Sequence, residues 1–298
     1  MDVEEKHRKM PGGPPPFSRR HLEIDTGMLD LHSHILPGLD DGASDNEQGL
    51  AMARIAVADG IEGIVCTPHW TSFQYEGNTR RKVMEAVAEF SALLEREEIP
   101  LKVYPGTELR VDSELPRKLE ARELLTINDS GRYALIELHP AMVSHHIEQL
   151  FWELQLQEIT PILAHPERNA ELVRDPARLL GWVEMGILLQ VTSSSLLGRF
   201  GSEIQRFCNF LLEHNMVHII ASDAHGFKSR QPRLLTSVRA AGKIVGAEAA
   251  RRMVDETPQK IINGEPVSLP DPLPLGKGPL KLSIFKKLFS FFRAAAVS

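Results

Sequence analysis

Two apolar patterns alternate along the chain between residues 28 and 225. Short apolar runs of strand length are followed by longer segments with apolar residues every three or four positions, the spacing of an amphipathic helix. Strands are predicted at residues 29–34, 61–66, 101–103, 133–138, 161–164, 187–191 and 217–221. Helices are predicted from Asp45 to Gly60 and at 79–98, 143–159, 168–184 and 200–214. This alternation predicts an α/β fold of seven parallel β/α units, in which closure into a barrel covers both faces of every strand.

The two ends of the chain differ from this alternating part. Residues 1–27 include a Pro/Gly-rich stretch between charged flanks, and we predict a disordered extension because they cannot bury enough apolar surface to fold. Residues 28–271 are predicted to form one domain, since a chain of 298 residues with 42% hydrophobic residues can enclose one large core. Residues 272–298 are predicted to be a linker and a basic amphipathic tail.

Apolar residues in that tail recur near helical spacing and lie among lysines and one arginine. This pattern is typical of a helix that lies on an anionic membrane surface, and the segment is too short and too charged to span a bilayer. Docking onto a partner protein and packing against the body of the chain are the alternatives.

Charge and cysteine content exclude several function classes. The formal net charge is −6, with +5 in the residues after Asp271 and −11 in the remainder, and so acidic a body argues against a nucleic-acid groove. Cys66 and Cys208 lie inside apolar runs, which indicates free thiols in a reducing compartment and hence a cytoplasmic protein. Neither cysteine has an arginine six residues later, so the sequence does not predict a cysteine-dependent phosphatase.

Side chains that bind metals recur where the predicted strands end. His32 and His34 share one face of the first strand, and the turn after it carries Asp40 and Asp41. The later strand ends carry His69, Glu108, Glu137, His165, Asp223 and His225, and only the sixth strand contributes none. The C-terminal ends of barrel strands form the rim where reactions take place. Because so many polar groups in one place are costly without cations, the pattern predicts a divalent metal site at this rim.

Five motifs in order carry a resemblance to a known family. They are His32-Ser33-His34, Cys66-Thr67-Pro68-His69, Gly106-Thr107-Glu108, His165-Pro166-Glu167-Arg168 and Ser222-Asp223-Ala224-His225. From Met28 to Asp271 the chain resembles the polymerase-and-histidinol-phosphatase (PHP) superfamily, and within it the bacterial capsular-polysaccharide tyrosine phosphatases of the CpsB/CapC type. The resemblance implies a distorted seven-stranded (β/α)7 PHP barrel and a metal-dependent phosphatase. It also implies a substrate, a membrane-associated bacterial tyrosine kinase that controls capsule or exopolysaccharide synthesis.

Carried across position by position, the family's metal site implies nine ligands: His32, His34, Asp41, His69, Glu108, Glu137, His165, Asp223 and His225. Nine ligands suit three divalent ions, with manganese as the expected metal, iron, cobalt or zinc as alternatives, and Glu108 as the bridge. Two positions stay open. Asp40 is an alternative to Asp41, and His139 stands where relatives generally have proline and is an alternative to Glu137.

The resemblance also assigns Arg168 and Arg230 to the substrate phosphate, which a guanidinium grips in two places. A salt bridge at a helix N-terminus for Arg168 and a solvated loop for Arg230 are the structural alternatives. The expected reaction is attack on phosphotyrosine by a metal-held hydroxide. Two other functions remain: a small-molecule phosphoesterase of the same superfamily, such as a histidinol-phosphate phosphatase, and a binding module without activity.

Overall fold

The computed structural model describes residues 27–268 and 270–275 of the chain. This part covers the predicted domain of residues 28–271 except for residue 269. The predicted extension, apart from Gly27, and the amphipathic tail at 277–298 lie outside the described residues, so both stay predictions. Among the helices of the described part, none has the length and apolar character needed to cross a bilayer.

The described residues form nine strands and eleven helices. The strands are β1 (Met28–Ser33), β2 (Ile61–Cys66), β3 (His69–Trp70), β4 (Lys102–Pro105), β5 (Glu108–Arg110), β6 (Tyr133–Glu137), β7 (Thr160–Ala164), β8 (Leu188–Thr192) and β9 (Ile219–Ala221). The helices are α1 (Asn46–Ala58), α2 (Arg80–Arg96), α3 (Leu115–Glu120), α4 (Ile147–Leu156), α5 (Ala170–Arg174), α6 (Pro176–Glu184), α7 (Ser193–Leu196), α8 (Ser202–Glu213), α9 (Leu235–Val245), α10 (Ala247–Arg252) and α11 (Glu256–Ile262).

The strands of the described part pair in parallel and form two sheets. One sheet has the order β1-β2-β4, and the other has the order β3-β5-β6-β7-β8-β9. Ser33 and Ala224 form an isolated parallel bridge between the sheets. Beside it, His34 N donates to Ala224 O at 2.8 Å and Asp223 N donates to His32 O at 2.8 Å. The end of β1 and the loop after β9 therefore lie side by side. The predicted α/β fold with parallel strands is confirmed.

Nine strands appear among the described residues where the sequence pattern predicts seven, because two of the predicted strands are each followed, after a break, by a second short strand. β2 and β3 are separated at Pro68, which has no N–H to donate and restricts the residue before it. β4 and β5 are separated at Gly106, where a Cβ would lie 2.7 Å from Val65 Cγ1. The segments keep the same neighbour across the break, since β2 pairs with β4 and β3 pairs with β5. Each break shortly precedes a predicted site residue, His69 or Glu108.

The predicted helices have different bounds in the structure. The helix predicted at 168–184 is divided into α5 and α6, because Pro176 starts a new helix and has no N–H to continue the first one. The helix predicted at 143–159 is shorter and corresponds to α4. Asp45 caps α1 by accepting a hydrogen bond from Gln48 N at 2.9 Å, so this helix begins where the pattern predicts. The pattern does not predict α3, α7 and α9 to α11, which are short or follow the last predicted strand.

Apolar side chains form two clusters that bury both faces of the strands. The larger cluster joins helices to the sheets and contains Phe151 and Trp182. The smaller one consists mainly of strand residues such as Leu31. Neighbouring residues of one strand can belong to different clusters, as Ala134 and Leu135 do. With both faces covered by apolar side chains, the strand ends remain as the place for polar groups.

Candidate metal centre

Nine side chains from separate segments converge where the strands end. They form four overlapping groups whose potential ligand atoms lie within 4.8 Å of one another: His34, Asp41, His69 and His225; His32, Glu108 and His165; His32, His34 and Asp223; and His69, Glu108 and Glu137. The structure thus brings together every residue that the sequence predicts for the metal site. Their role as ligands stays a prediction.

Glu108 lies at the centre of this nine-residue cluster and is fully buried. Its Oε2 is 2.9 Å from His69 Nδ1, 3.2 Å from His32 Nε2 and 3.3 Å from His34 Nε2. Its Oε1 is 2.8 Å from His165 Nε2. Because the two oxygens face different imidazoles, the carboxylate can serve two different cations.

The imidazoles of His32 and His34 are oriented by hydrogen bonds at their outer nitrogens. Gln190 Oε1 lies 2.9 Å from His32 Nδ1, and Asp40 Oδ2 lies 2.6 Å from His34 Nδ1. Such outer partners are usual for histidines that bind metals. Both rings direct Nε2 into the cluster, where the two Nε2 atoms are 3.2 Å apart. Two metal–nitrogen bonds of about 2.1 Å can meet at one ion between atoms at this separation.

The two neighbouring aspartates have different positions. Asp41 Oδ1 lies 3.4 Å from His69 Nε2 and 3.4 Å from His225 Nε2. Asp40 instead contacts the outer nitrogen of His34 and accepts a hydrogen bond from the backbone N–H of His69 at 2.9 Å. This geometry favours Asp41 as a ligand and Asp40 as the residue that orients His34.

The turn that carries both aspartates packs tightly against the end of β1. Ala43 N donates to His34 O at 3.0 Å, and Gly38 N donates to Ala43 O at 2.8 Å. A Cβ at Gly42 would lie only 2.0 Å from His34 O, so no larger residue fits without moving the turn. The close approach holds Asp41 over the cluster.

Glu137 faces the cluster and His139 does not. Glu137 is the last residue of β6, and its carboxylate oxygens lie 3.8 Å from His69 Nδ1 and 3.9 Å from His165 Nε2. His139 is exposed and belongs to no group of potential metal ligands in the described residues. β6 ends before His139. The alternation of side chains along a strand, which would place Glu137 and His139 on the same face, therefore does not extend to His139.

Arg168 and Arg230 converge on Asp223. Arg168 Nη1 lies 2.6 Å and Arg230 Nη2 lies 2.7 Å from Asp223 Oδ2. The other oxygen of Asp223 faces Nε2 of His32 at 3.5 Å and Nε2 of His34 at 3.4 Å. In both arginines Nε is buried without a hydrogen-bond partner. Because Arg230 pairs with an aspartate of the cluster, it is not a solvated loop residue, whereas the salt-bridge alternative for Arg168 stays open.

Three residues of this region have backbone angles in the left-handed region. The φ angles are 33° at His165, 50° at Asp223 and 46° at Arg230. Residues other than glycine rarely adopt this conformation, which costs on the order of 1 kcal/mol or more per residue. Backbone strain of this kind concentrates at functional sites, where the surrounding structure maintains it.

The cluster shifts the pKa values of its own members. Burial alone would lower the pKa of His34, yet the adjacent Asp40 and the other acids raise it well above its usual value. Burial alone would raise the pKa of Glu108, but the neighbouring imidazoles hold it well below its usual value. The pKa of Asp223 is also well below its usual value, because the charges of Arg168, His32 and Arg230 and a hydrogen bond from His34 together outweigh the effect of burial. The carboxylates of Glu108 and Asp223 therefore stay ionised and favour positive charge beside them.

Sequence reasoning misses two residues that support the cluster. These are Arg110, whose Nη2 lies 2.9 Å from Glu137 Oε2, and Gln190 of β8, which contacts His32. The sixth predicted strand thus contributes a supporting residue, although it carries none of the nine predicted ligands. Gln190 could have been noticed as a lone amide inside an otherwise apolar strand.

The residues present fit a group of divalent cations. Glu108 Oε2 and Asp223 Oδ1 are buried, and no hydrogen bond from the described residues reaches either oxygen, although imidazole nitrogens lie 2.9 to 3.5 Å away. A buried carboxylate oxygen without a partner is costly, and a cation removes that cost. Imidazole and carboxylate together are a donor set that manganese, iron, cobalt and zinc accept.

Comparison with known proteins identifies relatives of the whole domain. The tyrosine-protein phosphatase YwqE of Bacillus subtilis (strain 168) is 38% identical over 265 residues, which are 89% of this chain and 100% of that protein. The tyrosine-protein phosphatase CpsB of Streptococcus pneumoniae is 30% identical over 240 residues, 79% of this chain and 98% of that protein.

A solved structure and a family model extend this similarity to the fold. The structure comes from work on YwqE and CpsB, described there as unique metal-dependent tyrosine phosphatases, and matches with a TM-score of 0.79 at 38% identity. It covers 84% of this chain and 100% of its own. The family model for capsular polysaccharide synthesis, CpsB/CapC, matches residues 28–263. The family predicted from the five motifs is therefore confirmed, and this chain belongs to the CpsB/CapC family.

Proposed function

We propose that this chain hydrolyses phosphotyrosine in proteins and that it uses bound divalent metal ions to do so. It is a metal-dependent tyrosine phosphatase, as the names of relatives at 38% and 30% identity indicate. The observation that carries the proposal is the nine-residue cluster with Arg168 and Arg230 both directed at its Asp223. This arrangement combines sites for cations with guanidinium groups beside them, which is what a phosphate dianion requires.

The proposed cofactor is a set of three divalent ions, and manganese is the proposed metal. Iron, cobalt and zinc suit the same donors and are the alternatives. The nine residues of the cluster would hold the ions, with Glu108 shared between two of them. When bound, such ions offset the charge of the phosphate and lower the pKa of a water from 15.7 toward about 7.

Arg168 and Arg230 are proposed to bind the oxygens of the phosphate. Each is anchored on Asp223 through a terminal nitrogen, and each has Nε buried without a hydrogen-bond partner. An anchored guanidinium loses less conformational entropy when the phosphate binds. Its charge is also in place when negative charge builds up in the transition state.

The depth of the site suits a tyrosine side chain. The side chains of Glu108 and His32 are 0% exposed, and that of Arg168 is 21% exposed. A phosphate that reaches them must be carried below the surface, which a tyrosine allows better than the much shorter serine. Phenolate is also a weaker base than an alkoxide, so it needs less help from a proton donor when it leaves.

A substrate panel tests this function. We expect the metal-loaded protein to hydrolyse a phosphotyrosine peptide faster than a phosphoserine peptide or histidinol phosphate. Chelation should abolish hydrolysis because the phosphate charge is then no longer offset, and manganese, cobalt or iron should restore it. Full activity after exhaustive removal of metals would contradict metal dependence. A preference for histidinol phosphate would assign the chain to the small-molecule phosphoesterases, and no hydrolysis of any of the three would indicate a binding module.

We also infer that the strands close into a distorted seven-stranded PHP barrel with the metal site at its C-terminal rim. Two observations support this inference. β2 and β3 together occupy one position in the strand order, and β4 and β5 together occupy the next. β2 pairs with β4 before the breaks, and β3 pairs with β5 after them. The bridge between Ser33 and Ala224 joins the first position to the last. Seven of the nine predicted ligands lie near or after the ends of β1, β6, β7 and β9, and His69 and Glu108 begin the short segments that follow the breaks after β2 and β4.

The proposed substrate is a membrane-associated bacterial tyrosine kinase that controls capsule or exopolysaccharide synthesis. The family's connection with capsular polysaccharide synthesis supports this choice. The proposed place of action is the cytoplasm, at the inner face of the membrane. Contact with that membrane is proposed for the tail at 277–298, on the basis of its basic and apolar sequence.

Deletion of residues 277–298 tests the membrane contact. We expect hydrolysis of a small aryl phosphate to stay unchanged, while co-sedimentation with anionic liposomes falls, because each lost cation near such a surface removes about 1 kcal/mol of attraction. Uncharged liposomes provide the control. Equal sedimentation of the full and shortened chains, together with equal activity on a membrane-bound kinase, would exclude a membrane tether.

A further inference from the structure

A buried polar network lies behind Arg168, on the side away from Asp223. Arg168 Nη2 donates to Thr192 Oγ1 at 3.2 Å. Thr192 is the last residue of β8, and its hydroxyl donates to Glu167 Oε1 at 3.2 Å. The backbone N–H of Thr192 donates to the same carboxylate oxygen at 3.0 Å. Thr192 has no exposed surface and Glu167 is 1% exposed, so water does not compete for these bonds.

The direction of these hydrogen bonds follows from the chemistry of the groups. A threonine hydroxyl has one proton, and an ionised carboxylate can only accept. Because Glu167 takes that proton, the lone pairs of the Thr192 oxygen are left for donors. Arg168 can only donate, so the arrangement suits it. The hydroxyl of Ser195 lies 2.7 Å from the Thr192 oxygen and can be the donor in that contact.

The network leaves one edge of the Arg168 guanidinium free. Nη2 is held by Thr192, Nη1 is held by Asp223, and the Phe200 ring lies 4.6 Å from the guanidinium carbon. Nε is buried and has no hydrogen-bond partner in the part of the chain that the structure describes. Held on two sides and against one face, the guanidinium has a fixed plane, and its remaining N–H groups keep a constant direction.

We propose that Thr192, aligned by Glu167, is a positioning residue that fixes the plane of the Arg168 guanidinium for the substrate phosphate. This proposal rests on the proposed phosphatase function. It adds a residue that influences the reaction without being one of the predicted metal ligands. Among the described residues, no hydrogen bond joins Thr192 to the cluster of nine residues. We therefore expect its effect on the reaction to pass through Arg168.

The proposal predicts a loss when the hydroxyl is removed. Thr192→Val keeps the size and β-branching of the side chain but leaves Nη2 without its acceptor. We expect kcat/KM for p-nitrophenyl phosphate to fall about tenfold, as for the loss of one hydrogen bond to a charged group, with metal content unchanged. Thr192→Ser keeps the hydroxyl and should recover most of the activity.

A double-mutant cycle separates positioning from damage to the fold. Thr192 also caps α7 by accepting a hydrogen bond from Ser195 N, so Thr192→Val removes a structural bond too. If Thr192 acts only through Arg168, adding Thr192→Val to Arg168→Ala should change kcat/KM by less than about twofold. A structural effect would instead lower activity by the same factor with or without Arg168.

Thr126→Val is the matched control. Thr126 is also buried, and its hydroxyl accepts a hydrogen bond from Gly131 N at 2.8 Å, outside the cluster of nine residues. This variant should keep wild-type kcat/KM. Equal factors in the two backgrounds of the cycle, or no loss in Thr192→Val, would overturn the proposal.

The same cycle can be measured without turnover. The affinity of the metal-loaded protein for inorganic phosphate, measured by calorimetry, should fall in Thr192→Val and stay unchanged when that substitution is added to Arg168→Ala. If the wild-type protein hydrolyses no phosphate monoester, the proposed function fails on its own. The phosphate affinities then still decide whether Thr192 acts through Arg168.

Discussion

Replacement of Glu108 by glutamine is expected to remove at least one metal ion and nearly all activity, while the fold survives. Glutamine keeps the size of the side chain but not its charge. Its amide then stands where one carboxylate oxygen now faces three imidazole nitrogens at 2.9 to 3.3 Å. We expect kcat/KM for a phosphotyrosine peptide to fall at least about a thousandfold, since one substitution weakens the electrostatic support of the whole site. Elemental analysis and turnover on the same sample measure both effects.

Glu148→Gln is the matched control for this substitution. Glu148 forms an ion pair with Arg178 at 2.9 Å, and it lies on α4 outside the cluster. Its variant should keep metal and turnover. If the Glu108 variant does not fold, His165→Ala tests the same group, because His165 faces the other oxygen of Glu108 at 2.8 Å. Unchanged metal content in both variants would remove these residues from the proposed ligand set.

The meeting of the nine side chains could be predicted from the sequence because parallel strands have their C-terminal ends at one edge of a sheet. A residue that directly follows a strand is therefore close in space to those that follow the other strands. The spacing of apolar residues along the sequence locates the strand ends within a few residues. This precision is sufficient for Glu137, at the end of β6, and for His165, directly after β7.

The supporting residues could not be predicted in the same way. Gln190 contacts His32 across 158 positions of sequence, and no local pattern specifies that contact. The choice between Asp40 and Asp41 depends on a turn whose path is set by the close approach of Gly42 to His34 O. The break between β4 and β5 similarly reflects packing between distant segments. Side-chain orientation depends on tertiary contacts, whereas strand position depends mainly on local pattern.

Arg168→Ala is expected to keep its metal ions and lose about a hundred- to a thousandfold in kcat, as when one preorganised donor to a developing charge is removed. Metal should be retained because Asp223 remains paired with Arg230 at 2.7 Å. Arg168→Lys should recover only part of the rate. A single ammonium group cannot bind Asp223, Thr192 and a phosphate oxygen in the fixed directions of a guanidinium.

Arg178→Ala controls for the loss of a partly buried arginine. Arg178 pairs with Glu148 at 2.9 Å and lies 5.2 Å from the Trp182 ring, as Arg168 pairs with Asp223 and lies near Phe200. Its side chain is 25% exposed, close to the 21% of Arg168, but it lies on α6 outside the cluster. If Arg168→Ala lost metal along with activity, Arg168 would act by supporting Asp223 and not by binding phosphate. If it kept wild-type turnover, its contacts would be structural only. Loss of kcat with full metal content, in the Arg168 variant alone, is the result that assigns this guanidinium to the reacting phosphate.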